Sequence, residues 1–270
     1  MKRIAVITGA SSGMGAEFAR QISVRTGIDE LWLIARRQDR LEKLAAELTQ
    51  PGRPAARIFT ADISGRQGTE RFSAFLEAEK KADTVNGGFC ISLLVNNAGF
   101  GTYGTFESTS LDRELDMIDL DCTALTGICG KSLPYMQRGA ILINTASLAS
   151  FAPLGNFAVY GAAKAYVLSF TLALAAETAE RGIKVCALCP GPVSTEFADV
   201  ASNGARKAVL HGLPADKVVA KCLKDADRGR HTSVMAFKWK LKAFATRFAG
   251  RYTAAWVTYK FCKRPSNPVQ

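Results

Sequence analysis

Short apolar runs alternate with longer stretches of helical period from the first residues onward. Residues 3–8, 31–35, 55–60, 91–95, 140–144 and 183–188 lack polar alternation and read as strands, with 232–236 as a seventh. Between them, residues 14–24, 38–48, 67–81, 111–136 and 156–181 repeat their apolar positions at helical spacing. Strands that are apolar throughout and separated by helices predict a doubly wound α/β domain, a parallel sheet with helices on both faces. The pattern extends over residues 1–236 without an internal repeat or a low-complexity linker. Residues 237–270 read as a basic amphipathic tail rather than a second domain.

In a sheet of this kind ligands bind at the carboxyl ends of the strands. The chemically distinctive residues fall there. Gly9, Ser11, Ser12, Gly13, Met14 and Gly15 follow the first strand; Arg36 and Arg37 follow the second; Asp62 follows the third. Asn97, Ala98 and Gly99 follow the fourth, Ser147 the fifth, and Pro190 and Gly191 the sixth. Three glycines at a strand-to-helix turn let the backbone approach a ligand closely, and the free N–H groups of the helix start favour a pyrophosphate. The second strand ends on two arginines where an NAD enzyme would place an acid on the ribose hydroxyl, and guanidinium groups there suit a 2′-phosphate. NADP(H) is therefore expected over NAD(H), the competing reading being a basic, solvated helix start. Asp62 has the position to accept from an adenine amine, or simply to hold a turn.

Tyr160 and Lys164 are four residues apart, which on a helix puts them one turn apart on one face. A free tyrosine is too weak an acid for neutral pH, and a neighbouring ammonium favours the phenolate. Lowering its pKa by about three units takes about 4 kcal/mol of differential stabilisation. With Ser147 as a second donor, the three residues read as an oxyanion clamp and proton donor for a carbonyl. The flanking Phe100, Tyr103, Phe106, Leu148, Phe151, Leu154 and Phe157 fit a hydrophobic ketone or aldehyde, or else pack the loops against each other.

Seven cysteines are scattered without metal-ligand spacing, which fits reduced thiols in a cytoplasmic protein and no metal site. The sequence start does not read as a signal peptide, so none is expected, and with no run of 18 uncharged apolar residues no membrane-spanning helix is expected either. The net charge of +11 is lopsided. No acidic residue follows Asp227, and the ten bases beyond it account for all but one unit of that charge. A nearly neutral body gives no reason to expect nucleic-acid binding. In the tail, Phe237, Leu241, Phe244, Phe248, Tyr252 and Tyr259 fall on one helical stripe. Lys240, Arg247 and Arg251 flank it on one side, and Lys238, Lys242 and Lys260 on the other. Such a helix packs on its own domain, on a second subunit, or on an anionic membrane surface as a peripheral contact.

Taken together, T8-G-A-S-S-G-M-G15, A61-D62, N96-N-A-G99, S147, Y160-G-A-A-K164 and P190-G-P-V-S-T195 resemble the short-chain dehydrogenase/reductase family. The resemblance covers about residues 3–200 and extends to 236 with the seventh strand. It implies a Rossmann-type sheet and hydride transfer between a nicotinamide and a carbonyl or alcohol. It makes Tyr160 the general acid/base, Lys164 the group that lowers its pKa and binds the nicotinamide ribose, and Ser147 the substrate-orienting hydroxyl. It assigns Asp62, Ile63, Asn97, Ala98 and Gly99 to the adenine side and the sheet centre. Pro190, Gly191, Val193 and Thr195 go to the nicotinamide end. It also implies a homodimer or homotetramer built on the helices near 111–136 and 156–181. One residue departs from the family pattern: Asp121 stands where an asparagine is usual in M-x-x-x-N-x-x-A. Asp121 is expected in the proton path, paired with Lys164 or protonated. Carbonyl reduction is the leading expectation. Oxidation of an alcohol or 3-hydroxy acid, and a non-catalytic NADP-binding regulator, are the alternatives.

Overall fold

A computed structural model describes the chain apart from residues 83–86, 208, 210, 211, 247, 249 and 268–270 and the side chain of 242. Of the basic tail residues named above, Arg247 and the side chain of Lys242 thus lie outside it. Seven strands form one sheet: β1 (Lys2–Thr8), β2 (Glu30–Ala35), β3 (Ala55–Thr60), β4 (Phe89–Asn96), β5 (Ile141–Thr145), β6 (Lys184–Leu188) and β7 (Thr232–Ser233). All pairings are parallel, in the order β3-β2-β1-β4-β5-β6-β7. The chain runs outward from β1 to β3 and then returns to start β4 beside β1. That reversal opens a crevice at the carboxyl ends of β1 and β4.

The pleat divides the apolar residues between two cores. Ile4, Val6, Trp32 and Ile34 face one layer, made by α3 (Gly65–Ala82), α5 (Leu125–Ser132) and α6 (Ala158–Glu177). Ala5, Ile7, Leu31 and Leu33 face the other, made by α1 (Gly13–Ile22), α2 (Gln38–Leu48) and α8 (Ala215–Asp227). Each fully buried aliphatic side chain contributes about 1.5–3 kcal/mol, so a sheet apolar on both faces requires both layers.

Three expectations need correction. The stretch 111–136 is not one regular helix. α4 (Leu111–Ile118) passes through a π-helical segment, Asp119–Ala124, into α5, and a 3₁₀ turn at Leu133–Tyr135 carries Pro134. β7 ends at Ser233, and Ala236 at φ 69° turns the chain off the sheet into the tail. The tail is two helices, α9 (Phe237–Ala245) and α10 (Arg251–Phe261), not one continuous stripe.

α6 is long and apolar enough to cross a membrane, with a mean hydropathy of 1.4 over its span. Its buried side carries Tyr160, Lys164, Val167 and Leu174 against the sheet, as in the core helix of a globular domain.

Candidate functional site

The first turn of α1 begins at Ser12, whose extended backbone starts the helix without a side-chain cap. Its hydroxyl instead accepts from Arg37 Nη2 at 2.7 Å, and Ser11 Oγ accepts from the same guanidinium at 3.2 Å. The helix start is thereby left open toward the crevice, with a cation beside it. Gly15 keeps the turn tight: a Cβ there would lie 2.1 Å from Gly9 O. These features fit a dinucleotide phosphate at the turn.

The Asn96–Gly99 turn is tied across the sheet centre. Thr8 Oγ1 accepts from Asn97 N at 2.9 Å and Ala98 N at 3.0 Å. Asn97 Nδ2 donates to Thr8 O, and Thr145 Oγ1 donates to Asn97 Oδ1. Asn96 is buried and reaches Leu125 O in α5. These side chains at the ends of β1, β4 and β5 thus partner one another across the floor of the crevice.

A cavity of about 890 Å³ fills the crevice. Every catalytic or cofactor-site candidate named from the sequence borders it except Gly15 and Asp121, and of the apolar flanking residues all but Phe106 do. Gly15 acts by packing α1 against the turn. Asp121 is fully buried behind Lys164, its Oδ2 lying 2.9 Å from Lys164 Nζ. Its Oδ1 accepts from Phe100 N at 3.1 Å, and a Cβ on Gly99 would stand 2.6 Å from that oxygen. Asp121 therefore reaches the cavity only through Lys164, as a positioning residue. The π-helical segment that carries it adds a residue to the turn, a device frequent at functional sites.

Lys164 Nζ also donates to Thr145 O at 3.0 Å and lies 5.6 Å from the centre of the Tyr160 ring. Its pKa is raised above the ordinary lysine value: burial opposes the ammonium, and Asp121 and Tyr160 outweigh it. Burial pushes the Asp121 carboxyl up despite Lys164. The expected lowering of Tyr160 is not seen. Burial raises its pKa above the usual tyrosine value, more than Lys164 and the Ser147 hydroxyl lower it, and Asp121 adds to the rise. Influences of opposite sign converge on one phenol, and burial, the largest, favours the neutral, proton-donating form.

Around Tyr160 stands an aromatic box. Phe157 stacks on it with ring centres 4.1 Å apart, Tyr103 meets Phe157 edge-on at 4.9 Å, and Phe197 tilts against Tyr160 at 5.5 Å. Phe100, Tyr103, Leu148, Phe151, Leu154 and Phe157 all border the cavity, whereas Phe106 is exposed and does not. Tyr103 and Phe157 thus do both things weighed from the sequence: they pack the loops and face the cavity. Asp62 borders the cavity while its Oδ1 accepts from Ser64 N at 3.0 Å, so it holds a turn as well.

Several neighbours had no local signal. Glu196 binds Arg37 Nη1 at 3.0 Å and Arg40 Nη1 at 2.5 Å, joining the loop after β6 to the end of β2. Those arginines hold its carboxyl below the ordinary glutamate range. Trp239 of α9 packs on the Pro190-Gly191 turn, where a Cβ on Gly191 would meet its Nε1 at 2.8 Å. Trp239, Val257, Thr258 and Arg264 of the tail all border the cavity. These are contacts between segments far apart in sequence, which spacing rules do not reveal.

Residues 3–205 match the short chain dehydrogenase family. Serine 3-dehydrogenase of Agrobacterium fabrum is 34% identical over 242 residues, covering 85% of this chain and 90% of that protein. Sulfoacetaldehyde reductase 2 of Chromohalobacter salexigens is 32% identical over 215 residues, 77% of this chain and 79% of that one. Among solved structures, a short-chain dehydrogenase from Sphingobium yanoikuyae in complex with NADPH superposes with a TM-score of 0.77 at 27% identity, covering 92% of this chain and 94% of that one. The parallel seven-stranded sheet, the glycine turn opening onto the crevice and these similarities agree: the chain is an oxidoreductase of the short-chain dehydrogenase/reductase family.

Proposed function

We propose that the protein reduces a ketone or aldehyde of hydrophobic body with NADPH, using Tyr160 as proton donor. The observation that carries this reading is that Ser147, Tyr160 and Lys164 border the same cavity as the open N-terminus of α1. NADPH, when bound, supplies the hydride. Gly9, Ser11, Ser12, Gly13 and Met14 would hold its pyrophosphate, and Arg36 and Arg37 its 2′-phosphate. Asp62 and Ile63 would border the adenine; Asn97, Ala98 and Gly99 would support the sugar side. Pro190, Gly191, Val193 and Thr195 would line the nicotinamide end. Support for NADPH comes from the arginines at the end of β2 and from the relative solved with NADPH. Serine oxidation and aldehyde reduction, in the names of two relatives, leave the physiological direction to the substrate.

The substrate oxygen would sit between the Ser147 and Tyr160 hydroxyls. Tyr160 gives it a proton as the carbonyl carbon is reduced, and Lys164 stabilises the phenolate left behind. Asp121 and Thr145 O fix that ammonium in place. Proton donation from a positioned side chain typically supplies about 10²–10⁴-fold in rate. NADPH consumption is to be followed across ketones, aldehydes and 3-oxoacyl thioesters, for the wild type and for Tyr160→Phe. The variant should lose about 10²–10⁴-fold while still binding NADPH. Wild-type rates from it would refute the assignment, and NADPH binding without turnover of any carbonyl by the wild type would favour a regulator.

We further propose that the outer side of the tail makes peripheral contact with an anionic membrane. Phe237, Phe248 and Tyr252 are 78%, 78% and 81% exposed, with lysines interleaved and no acidic residue beyond Asp227. Aromatic side chains with cations beside them suit a headgroup boundary.

A further inference from the structure

Sequence patterning leaves the tail as a loose basic appendage, but its path over the cavity is built. Asn156, at φ 58°, donates through Nδ2 to Thr258 O, Tyr259 O and Cys262 O at 3.3, 2.9 and 3.3 Å, capping the carbonyl end of α10. Gly155 N donates to Thr258 Oγ1 at 2.8 Å, and a Cβ on Gly155 would strike Tyr259. Beyond α10, Asn267 N donates to Ser202 O and Asn267 Nδ2 to Asn203 O, each at 3.0 Å. The strand of chain between these two clamps crosses from the loop before α6 to the loop after α7 (Phe197–Ala201). Arg264 lies in the middle of that span.

The Arg264 guanidinium is half-buried at the cavity wall. Its Cζ is 4.9 Å from the centre of the Phe157 ring, the ring stacked on Tyr160. Nη1 donates to Gly155 O at 3.3 Å; among the described residues that engages one of its five N–H donors. Arg206, in the loop after α7, borders the same cavity. The two cations disfavour each other. Burial lowers the pKa of Arg264 below the ordinary arginine value, and Arg206 adds to the fall. Among the described residues no carboxylate lines this end: of the two that border the cavity, Asp62 lies beyond the end of β3 and Glu196 is held by Arg37 and Arg40. A half-buried guanidinium with free donors, a second cation near it and no counter-charge among the described residues is a site for an anion.

We propose that Arg264, with Arg206 near it, binds a carboxylate of the substrate, so that the substrate class is an oxo acid: a carbonyl for Tyr160, an apolar body in the aromatic box and an anionic end under the tail. This rests on the carbonyl-reductase reading above and narrows it. The tail thereby becomes part of the specificity pocket.

Benzoylpropionate and its methyl ester separate the charge from the apolar body. Their binding to the NADP-loaded full-length protein is measured by calorimetry, and their reduction by steady-state kinetics. The wild type should favour the acid over the ester by at least about tenfold, the range expected of a charge-assisted contact. That ratio should collapse in Arg264→Gln, recover in part in Arg264→Lys and invert in Arg264→Glu, with the change in KM rather than kcat. Equal binding of acid and ester by the wild type overturns the proposal. So does a ratio unchanged in Arg264→Gln, or a loss that falls on NADPH binding instead, which would assign the cations to the cofactor's phosphates. Reduction of the ester alone would sink the oxo-acid class and leave carbonyl reduction standing. Selective binding of the acid with no reduction of either would do the reverse.

Discussion

Tyr160 is an acid whose strength is set by burial and by neighbours of different sign. Burial and Asp121 raise its pKa; Lys164 and Ser147 lower it. Removing the Asp121 charge while keeping its shape should therefore lower it. In Asp121→Asn the neutral tyrosine needed for reduction is lost at lower pH, so the alkaline limb of the reduction profile moves toward neutrality. In the oxidative direction, where the phenolate is the base, the acidic limb moves the same way. Profiles of the two proteins that coincide would take Asp121 out of the chemistry. Arg37 offers a second residue-scale test. Its contacts to Ser11 and Ser12 place it at the start of α1, beside the expected 2′-phosphate. Arg37→Ala should raise the KM for NADPH by about 10–100-fold, the worth of a hydrogen bond to a charged group. The KM for NADH should move far less, and an equal rise for both would contradict the 2′-phosphate assignment. The identities of these residues were legible in the sequence. The direction of the Tyr160 shift was not, because burial, the largest cause, depends on Phe157, Tyr103 and Phe197 closing around the ring.

At the scale of elements, the helical period of the tail was readable, but its two sides were assigned only by the fold. Gly250 precedes α10, and the break between α9 and α10 lets both helices lie over the site. Their inner sides carry Trp239, Ala243, Val257 and Thr258 to the cavity. The stripe of Phe237, Leu241, Phe244, Phe248 and Tyr252 stays outside. It does not pack on its own domain, which leaves a membrane or a second subunit. Sedimentation with vesicles containing anionic lipid should pellet the full chain, and a chain ending at residue 236 should stay in solution. Equal pelleting would end the membrane reading, and pelleting abolished by neutral lipid alone would confirm its electrostatic share. The 111–136 stretch carries the same lesson. Its length predicts a helix, yet the π-helical segment around Asp121 arises from a tertiary demand, since that carboxylate must meet both Lys164 and Phe100 N.

For the whole molecule, the isolated subunit leaves apolar side chains uncovered on α4 and α6. Leu111, Leu115 and Ile118 are 58%, 51% and 39% exposed, and Tyr166 and Leu172 on α6 are 43% and 40% exposed. An α6 apolar on all sides but buried on only one would be accounted for by a second copy against it, which is the expectation to be tested. Light scattering should give a dimer or tetramer for the wild type and a smaller species for Leu115→Glu with Leu172→Glu. The same mass for both would move the interface elsewhere.

The sequence by itself determined the strand and helix alternation, and with it the parallel sheet, because apolar runs buried on both faces need covering helices. It also determined which residues gather at the carboxyl edge, since every strand of a parallel sheet ends on the same side. What the tertiary structure decided are the pairings across distance: Glu196 with Arg37 and Arg40, Asp121 with Phe100 N, and Asn156 with the end of α10. Periodicity records which face of an element is apolar. It does not record which distant element will cover that face, and it is this covering that encloses Tyr160 and brings Arg264 to the wall of its cavity.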